Sequence, residues 1–453
     1  MKRKFINDTI TALGSARGKA GLAIVRVSGP EALSIGWKLF RPRHAEAQPT
    51  PRKMILGEMF DLDGQVLDEV LFVYFPESAS YTAEPVVEFH LHGGPVLVAA
   101  ALETLTQAGA RPAEPGEFTR RAFLGGRIDL AQAEAVADLI AARSLAAARA
   151  AHRRLTGALS DKVVHLRQLL AEALALLEAQ IDFPDDDLGR IEPAEITQRL
   201  DDAATGVEAL LAGHARAKAL AEGAVVVLAG RPNAGKSSLL NRLAGARRAL
   251  VHERAGTTRD LIEAEVVISG VPLRLIDTAG LQSSADEVER QGVAWAKETI
   301  ADADLIVYLV DGAVGVTPAD LENLAVVSIE RRIIVWNKAD LVAPEAAFRE
   351  LSDLAVSATL GQGLEELSRR IVQALGADAA GAEALLATVR HRHLAERAKN
   401  HIAAAKPIVL AGNRAELAAL ELRDAANALG EIIGETTVEQ VLDVIFSRFC
   451  IGK

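Results

Sequence analysis

The stretch Gly230-Arg231-Pro232-Asn233-Ala234-Gly235-Lys236-Ser237 limits what this chain can fold into more than any other, because it fits G-x-x-x-x-G-K-[ST] without a gap. An apolar, β-branched run (residues 224–229) precedes it and a helix-like segment (238–243) follows. Strand, glycine loop and helix in that order form a phosphate cradle: backbone N–H groups and a helix N-terminus point at the phosphates, and glycines allow close approach. Lys236 would reach the β- and γ-phosphates, and the Ser237 hydroxyl would take Mg²⁺.

The base is read further along. Asn337-Lys338-Ala339-Asp340 ends the apolar run 333–336. The Asp340 carboxylate can accept from the N1–H and 2-amino group of guanine, a donor pair adenine lacks, so it would select GTP. Ser357-Ala358, after the run 354–356, can close over the base edge. Asp277-Thr278-Ala279-Gly280 ends another apolar run and would sense the γ-phosphate and Mg²⁺, while Thr257-Thr258 lies where a switch loop belongs. Taken singly, the Asn-Lys-x-Asp motif could be a turn after a strand. Four motifs in this order and spacing describe a guanine-nucleotide switch domain.

At 453 residues the length suggests about three domains. Half the residues are hydrophobic and a quarter charged, the balance of a soluble globular chain. A net charge of -11 argues against a broad nucleic-acid coat but not against a local basic groove. The single cysteine, Cys450, excludes a disulfide framework and a cysteine-rich metal site. Met1-Lys2-Arg3-Lys4 has no long apolar stretch behind it, so no signal peptide is expected. No run approaches the roughly 18–20 apolar residues of a membrane span. A cytoplasmic location is expected.

Residues 1–122 read as an α+β domain: a strand at 21–27, a helix over 31–40, two strands (54–60 and 69–75) around Asp63-Gly64, a strand at 86–92 and a helix over 95–107. From Asp129 alanine becomes frequent, and Leu130, Ala133, Val136, Ala137 and Ile140 recur at helical spacing, as do Leu166, Leu169, Leu170, Ala173, Leu174 and Leu177. A further helix is expected over 194–221. Helical patterning returns after about residue 377, with Leu385, Val389, His393, Leu394, Leu417, Leu420 and Leu422 on apolar stripes. A stripe must be buried against something, so the helices before and after the nucleotide domain should pack together, making that domain an insertion. The acid run Asp185-Asp186-Asp187 reads as a solvated loop.

The hydrolytic water poses a problem. Where many small GTPases carry a water-orienting Gln, this chain has Leu281. Gln282 and the acids Asp286, Glu287 and Glu289 are alternatives. Arg231, Arg254 and Arg259 are near enough in sequence to serve as an arginine finger. Alternatively, the Asn233 amide carbonyl could hold a monovalent cation where a finger's charge would go, or simply stabilise the loop. Cys450 reads either as a small hydrophobe or as a reactive thiol whose thiolate Arg448 and Lys453 would favour.

Other segments carry a resemblance over essentially the whole chain: Arg26-Val27-Ser28-Gly29, His92-Gly93-Gly94-Pro95, Pro115-Gly116-Glu117-Phe118-Thr119-Arg120-Arg121-Ala122-Phe123, Asp129-Leu130-Ala131-Gln132-Ala133-Glu134-Ala135, Ala255-Gly256-Thr257-Thr258-Arg259-Asp260, and the end Phe449-Cys450-Ile451-Gly452-Lys453. With the nucleotide motifs, these resemble the tRNA-modification GTPase family MnmE (TrmE). The resemblance implies a multidomain α/β protein: an α+β dimerising and folate-binding N-terminal domain (1–122), an all-α helical domain in two parts (123–221 and 377–453), and an inserted Ras-like GTPase domain (222–376). It implies K⁺-dependent hydrolysis with paired G domains in a homodimer, and GTP contacts from Asn233, Ala234, Gly235, Lys236, Ser237, Ser238, His252, Glu253, Arg254, Ala255, Gly256, Thr257, Thr258, Asp277, Thr278, Ala279, Gly280, Asn337, Lys338, Asp340, Ser357 and Ala358. Ser237 and Thr258 match the Mg²⁺ ligands; Asn233, His252, Arg254 and Thr257 match the K⁺ loop, the middle two through carbonyls. Glu289 matches the acid that orients the water, and Gln282 receives no role. Arg26, Glu88, Arg127 and Lys453 align with contacts to 5-formyl- or 5,10-methylene-tetrahydrofolate. The implied partners are tRNA and an FAD-dependent protein of the MnmG (GidA) type, in a heterotetramer acting on C5 of the wobble uridine. Two other readings fit the nucleotide motifs: a ribosome-assembly or translation GTPase, and a GTP-responsive scaffold with little hydrolysis.

Overall fold

A computed structural model of the chain describes residues 8–182, 192–246, 262–277, 303–326, 332–344, 354–377, 383–412, 414–435, 439–447 and 449–452. It divides into two compact units, Met1–Ala137 with Gly430–Lys453, and Asp138–Leu429.

In the first unit β1 (Ile10–Leu13), β2 (Ala20–Ser28), β3 (Phe40–Pro42), β4 (Ile55–Phe60), β5 (Val66–Phe75), β6 (Val86–Gly93) and β7 (Arg111–Pro112) form a sheet of order β3-β4-β5-β6-β2-β1-β7. All pairs are antiparallel except β1 with β7. Strand β4 alternates buried and exposed residues, as a sheet with one covered face requires. Helices α1 (Ala32–Lys38) and α2 (Pro95–Gln107) cover that face. Trp37, Phe40, Phe72 and Phe89 pack there in tilted, edge-to-face and stacked pairs, at centroid distances of 4.8–5.6 Å. The helix expected over 31–40 stops at Lys38, and Phe40 turns into β3 to join this aromatic cluster. Strand β5 starts at Val66, earlier than the expected 69, because the two strands close tightly around Gly64, whose φ is +80°. A second small core joins α3 (Glu117–Leu124), the start of α4 (Leu130–Ala141) and α14 (Glu439–Phe446) through Leu130, Ala133, Leu442, Phe446 and Phe449. The chain thus closes on its own beginning: Ile451 bridges Pro115, and Gly452 (φ +97°) sits so close to the Leu13 carbonyl that no Cβ would fit.

The second unit contains α5 (Leu145–Leu155), α6 (Ala158–Asp182), α7 (Pro193–Ala212), α8 (His214–Ala221), β8 (Ala224–Gly230), α9 (Lys236–Ala246), β9 (Ile262–Ile268), β10 (Val271–Asp277), β11 (Leu305–Asp311), α10 (Pro318–Val326), β12 (Arg332–Asn337), β13 (Leu354–Ala355), α11 (Leu364–Ala374), α12 (Val389–Ala411) and most of α13 (Ala415–Ile433). Its described strands run β13-β12-β11-β8-β10-β9, parallel apart from the β9–β10 hairpin. Residues 305–310 of β11 are all buried, the mark of a central strand covered on both faces.

Helices from before and after this sheet pack together. Ion pairs Lys399–Glu208 and Lys406–Asp201 join α12 to α7, and Arg423–Glu178 joins α13 to α6. The nucleotide-binding sheet is therefore an insertion in a helical domain. The helix expected over 194–221 is broken at Gly213, where only glycine fits, since the Glu383 carbonyl lies where a Cβ would be. The α6 stripe is core at Leu166, Leu170, Ala173 and Leu177. The later stripes hold at Leu385, Leu394 and Leu422 but miss elsewhere: His391 is buried rather than His393, and Val389, Leu417, Leu420 and, on α4, Ile140 are exposed.

Candidate functional site

The cradle is built where β8 ends. Gly230 (φ +136°) lies against the Leu309 carbonyl of the neighbouring strand, and Gly235 (φ +94°) lies against the Asn337 amide; a Cβ at either position would overlap these atoms. Asn233 is in the left-handed region too, at φ +66°, with its side chain exposed, while Ala234 beside it is buried. Lys236 opens α9 and is 5% exposed. Its Nζ donates to the carbonyls of Gly230 (2.8 Å) and Arg231 (2.9 Å). Burial pushes the ammonium below its ordinary pKa, and the charge of Asp277 opposes this only in part. A buried ammonium held by its own loop's carbonyls suits an incoming polyphosphate, whose charge would compensate it.

The Ser237 hydroxyl donates to Oδ2 of the fully buried Asp277 at 2.5 Å. These two oxygens, one from the loop and one from the end of β10, are the kind a Mg²⁺ ion shares with phosphates. Ser238 is exposed on the first turn of α9.

Asn337 joins three parts of the cradle. Its Nδ2 donates to the Ala234 carbonyl (2.7 Å), and its Oδ1 accepts from the Ala358 N–H (3.1 Å). Lys338 (φ +62°) donates to Asp311 Oδ2 at 2.7 Å. Ser357 is buried and accepts from the Leu360 N–H, whereas Asp340 is exposed at the rim, where a base edge would lie. The sequence reading gave Asn337 no separate task. Its signal was the amide itself, since Asn at the end of a buried strand must find partners for both a donor and an acceptor.

The first unit holds a different arrangement. Arg26 on β2 and Glu88 on β6 are cross-strand partners. The guanidinium meets Glu88 Oε1 through Nε (2.9 Å) and Nη2 (2.7 Å), and His90 Nε2 lies 3.2 Å from Oε2. Burial raises the Glu88 pKa, but the hydrogen bonds from His90 and Arg26 and the arginine's charge outweigh it and hold the carboxyl below its usual range. Arg26 also lies over the rings of Phe118 and Tyr81, at 5.6 and 6.0 Å. The sequence reading missed His90, although it shares a strand face with Glu88 two residues away. Gly14 separates this group from the C-terminal tail, its Cβ position lying 4.0 Å from the Arg26 guanidinium carbon and its Cα against Gly452. Cys450 is exposed and lines, with Leu13, Val98, Leu102 and Ile451, a cavity of about 1060 Å³ whose lining does not include Arg26 or Glu88. Arg127 is exposed on the turn after α3 and makes no described contact with the Arg26–Glu88 pair.

Residues 9–127 match the family model described as "GTP-binding protein TrmE N-terminus", and residues 130–450 match that of the "MnmE helical domain". Over 99% of this chain and the full length of each relative, it is 43% identical to the tRNA modification GTPase MnmE of Geobacter sulfurreducens, 44% to that of Moorella thermoacetica and 41% to that of Aquifex aeolicus. The chain belongs to the MnmE family of tRNA modification GTPases. As a member of the MnmE family it is a GTP hydrolase, and the cradle of Lys236, Ser237, Asp277 and Asn337 fits GTP with Mg²⁺. His252, Glu253, Arg254, Ala255, Gly256, Thr257, Thr258, Thr278, Ala279, Gly280, Gln282, Glu289 and Lys453 lie outside the described residues.

The family segment 115–123, read from sequence only as a mark of resemblance, has a structural task. Arg121, buried, donates from Nη2 to Asp8 Oδ1 (2.7 Å) and Glu117 Oε1 (2.9 Å) and from Nη1 to Glu84 Oε2 (3.2 Å), while Arg111 meets both Asp8 and Glu117 at 2.7 Å. This ionic cluster fixes α3 to the strands around β1. Among the described residues no helix is long and apolar enough to cross a membrane.

Proposed function

We propose that this protein is a homodimeric, K⁺-dependent GTPase that works with an FAD-dependent partner of the MnmG type to place an aminomethyl or carboxymethylaminomethyl group on C5 of the tRNA wobble uridine, in the cytoplasm. Residues 1–122 would dimerise and bind a one-carbon tetrahydrofolate, 123–221 and 377–453 would form the helical domain, and 222–376 the GTPase domain. Asn233 would hold K⁺ with oxygens of His252, Arg254 and Thr257; Ser237 and Thr258 would hold Mg²⁺; Glu289 would orient the attacking water. The bound K⁺ would supply the positive charge that a finger arginine supplies elsewhere.

The observation that carries the reading is the Arg26–Glu88–His90 group beside the C-terminal tail, in a chain that also has a GTP cradle. An ionised, half-enclosed carboxylate such as Glu88 suits the N3–H and 2-amino pair of a pterin, and Arg26, Arg127 and Lys453 are cations for glutamyl carboxylates. The test is mass spectrometry of tRNA nucleosides from a strain lacking the gene. Loss of the wobble modification, restored by the wild type but not by Arg26→Ala, is expected; an unchanged nucleoside profile would refute the reading. In a GTPase assay, equal slow rates in K⁺ and Na⁺, or Asn233→Ala with the parental rate, would remove the cation from the mechanism.

A further inference from the structure

The hairpin formed by β9 and β10 connects the two nucleotide-sensing stretches of the chain. Strand β9 starts just after the segment carrying Thr257 and Thr258, and β10 ends on Asp277. The strands are paired without a bulge from Ile262↔Asp277 to Ile268↔Val271. The turn between them is Ser269-Gly270, with φ of +51° and +86°. Positive φ at both central residues is the type I′ geometry of a tight hairpin, and for a serine it is strained. The two strands are not equally held. Strand β10 is flanked by β8 and β9, whereas β9 is an edge, paired among the described strands only with β10.

The other end of this hairpin is gripped by the helical domain. Ser144, the N-cap of α5, accepts from the Ala147 N–H at 3.0 Å and donates its hydroxyl hydrogen to the Gly270 carbonyl at 2.6 Å. Arg143 meets Glu265 of β9 at 2.7 Å. The fit is close: a Cβ at Gly270 would lie 2.9 Å from the Ala146 methyl. A single hydroxyl therefore caps a helix of one domain and anchors the turn of the other. Seven residues of strand separate Gly270 from Asp277, about 23 Å at the rise of a β-strand.

We propose that Ser144 is a positioning residue for GTP hydrolysis. By holding the Gly270 turn it fixes the edge strand β9, and so the start of the chain that runs back to Thr257 and Thr258. This rests on the GTPase activity and on the proposed roles of Thr257 and Thr258, and is independent of the folate and tRNA reading.

Three substitutions in the full-length protein separate the grip from the cap. Ser144→Asp keeps a good N-cap acceptor but has no hydrogen to give Gly270 when ionised. Ser144→Ala loses both functions, and Ser144→Thr keeps both. The expected result is a fall in kcat of about fivefold for Ser144→Asp and Ser144→Ala, the rate equivalent of one neutral hydrogen bond. Affinity for a fluorescent GDP should stay within about twofold by the same reasoning, since the cradle itself is untouched. Ser144→Thr should return kcat to the parental value. A purely structural hydroxyl would lower the melting temperature of Ser144→Ala and leave kcat of the folded protein unchanged. Ser144→Asp with parental kcat, or a loss shared by Ser144→Thr, would overturn the proposal.

Discussion

The first unit and the nucleotide cradle of the second handle buried charge in opposite ways. In the first, the charges buried around α3 and β2 meet their opposites: Arg121 and Arg111 are shared among Asp8, Glu84 and Glu117, and Arg26 is closed on Glu88. In the cradle, Lys236 is nearly as buried as Arg121 but spends its hydrogen bonds on two carbonyls. A neutralised cluster holds a fold in place, and removing one member strands the others. A cation compensated only in part is held ready for an anion, and its removal should cost binding rather than stability.

The largest effect should follow from Arg121→Ala. It leaves the half-buried Glu84 without the guanidinium that meets it and the buried Glu117 with Arg111 alone, a change worth about 3–5 kcal/mol. Urea denaturation should show the loss while guanine-nucleotide binding by the remaining folded protein persists. Next comes Lys236→Ala, which should lower kcat/KM for GTP by about 10²–10³-fold, the usual cost of losing one preorganised charge donor. Its nucleotide-free melting temperature should not fall, because the substitution removes a desolvated ammonium. A marked fall would show that the lysine is structural and break the contrast. Asn337→Ala should be smaller, about 1–3 kcal/mol of GTP affinity, by leaving the Ala234 carbonyl and the Ala358 N–H unpaired; titration with a fluorescent nucleotide would measure it.

The same contrast governs what could be read in advance. The cradle was legible because its chemistry is contiguous: Gly230, Gly235, Lys236 and Ser237 lie within one loop, and β8 and β12 announce themselves as apolar runs. The insertion was legible because apolar helix stripes on either side needed partners. The Arg26–Glu88–His90 group was not, since its members come from two strands, and pairing register cannot be read from either strand alone. Only resemblance singled out Arg26 and Glu88, and it passed over His90. The Arg121 cluster was hidden for the same reason, its five charges being scattered from Asp8 to Arg121. The helical stripes failed where the spacing fits two phases: along α12 the apolar set could bury His391 or His393, and the tertiary packing, which no spacing reveals, buries the former.

The smallest effect is the most specific to the neutralised unit. Glu88, Glu117 and Asp8 all have their pKa values held below the ordinary ones, because hydrogen bonds and the charges of Arg26, His90, Arg111 and Arg121 together exceed the penalty of burial. For a depressed carboxyl the stabilisation is complete above the unfolded value, about 4, and is lost as the pH falls through the folded one. The first unit should therefore be flat in stability near neutrality and weaken below about pH 4, where protons bind the unfolded chain first. Glu88→Gln cannot ionise and so lacks one share of that pH dependence. In hydrogen exchange of the β2 and β6 amides, wild type and Glu88→Gln compared at the same pH share intrinsic rates. The difference in their protection should be level from pH 7 down to about pH 4 and close only below that, as the pH falls through the folded value of Glu88. A gap that stayed constant with pH would mean that Glu88 contributes shape and hydrogen bonds but no ionic stabilisation, and that the first unit's pairs are less completely engaged than their distances imply.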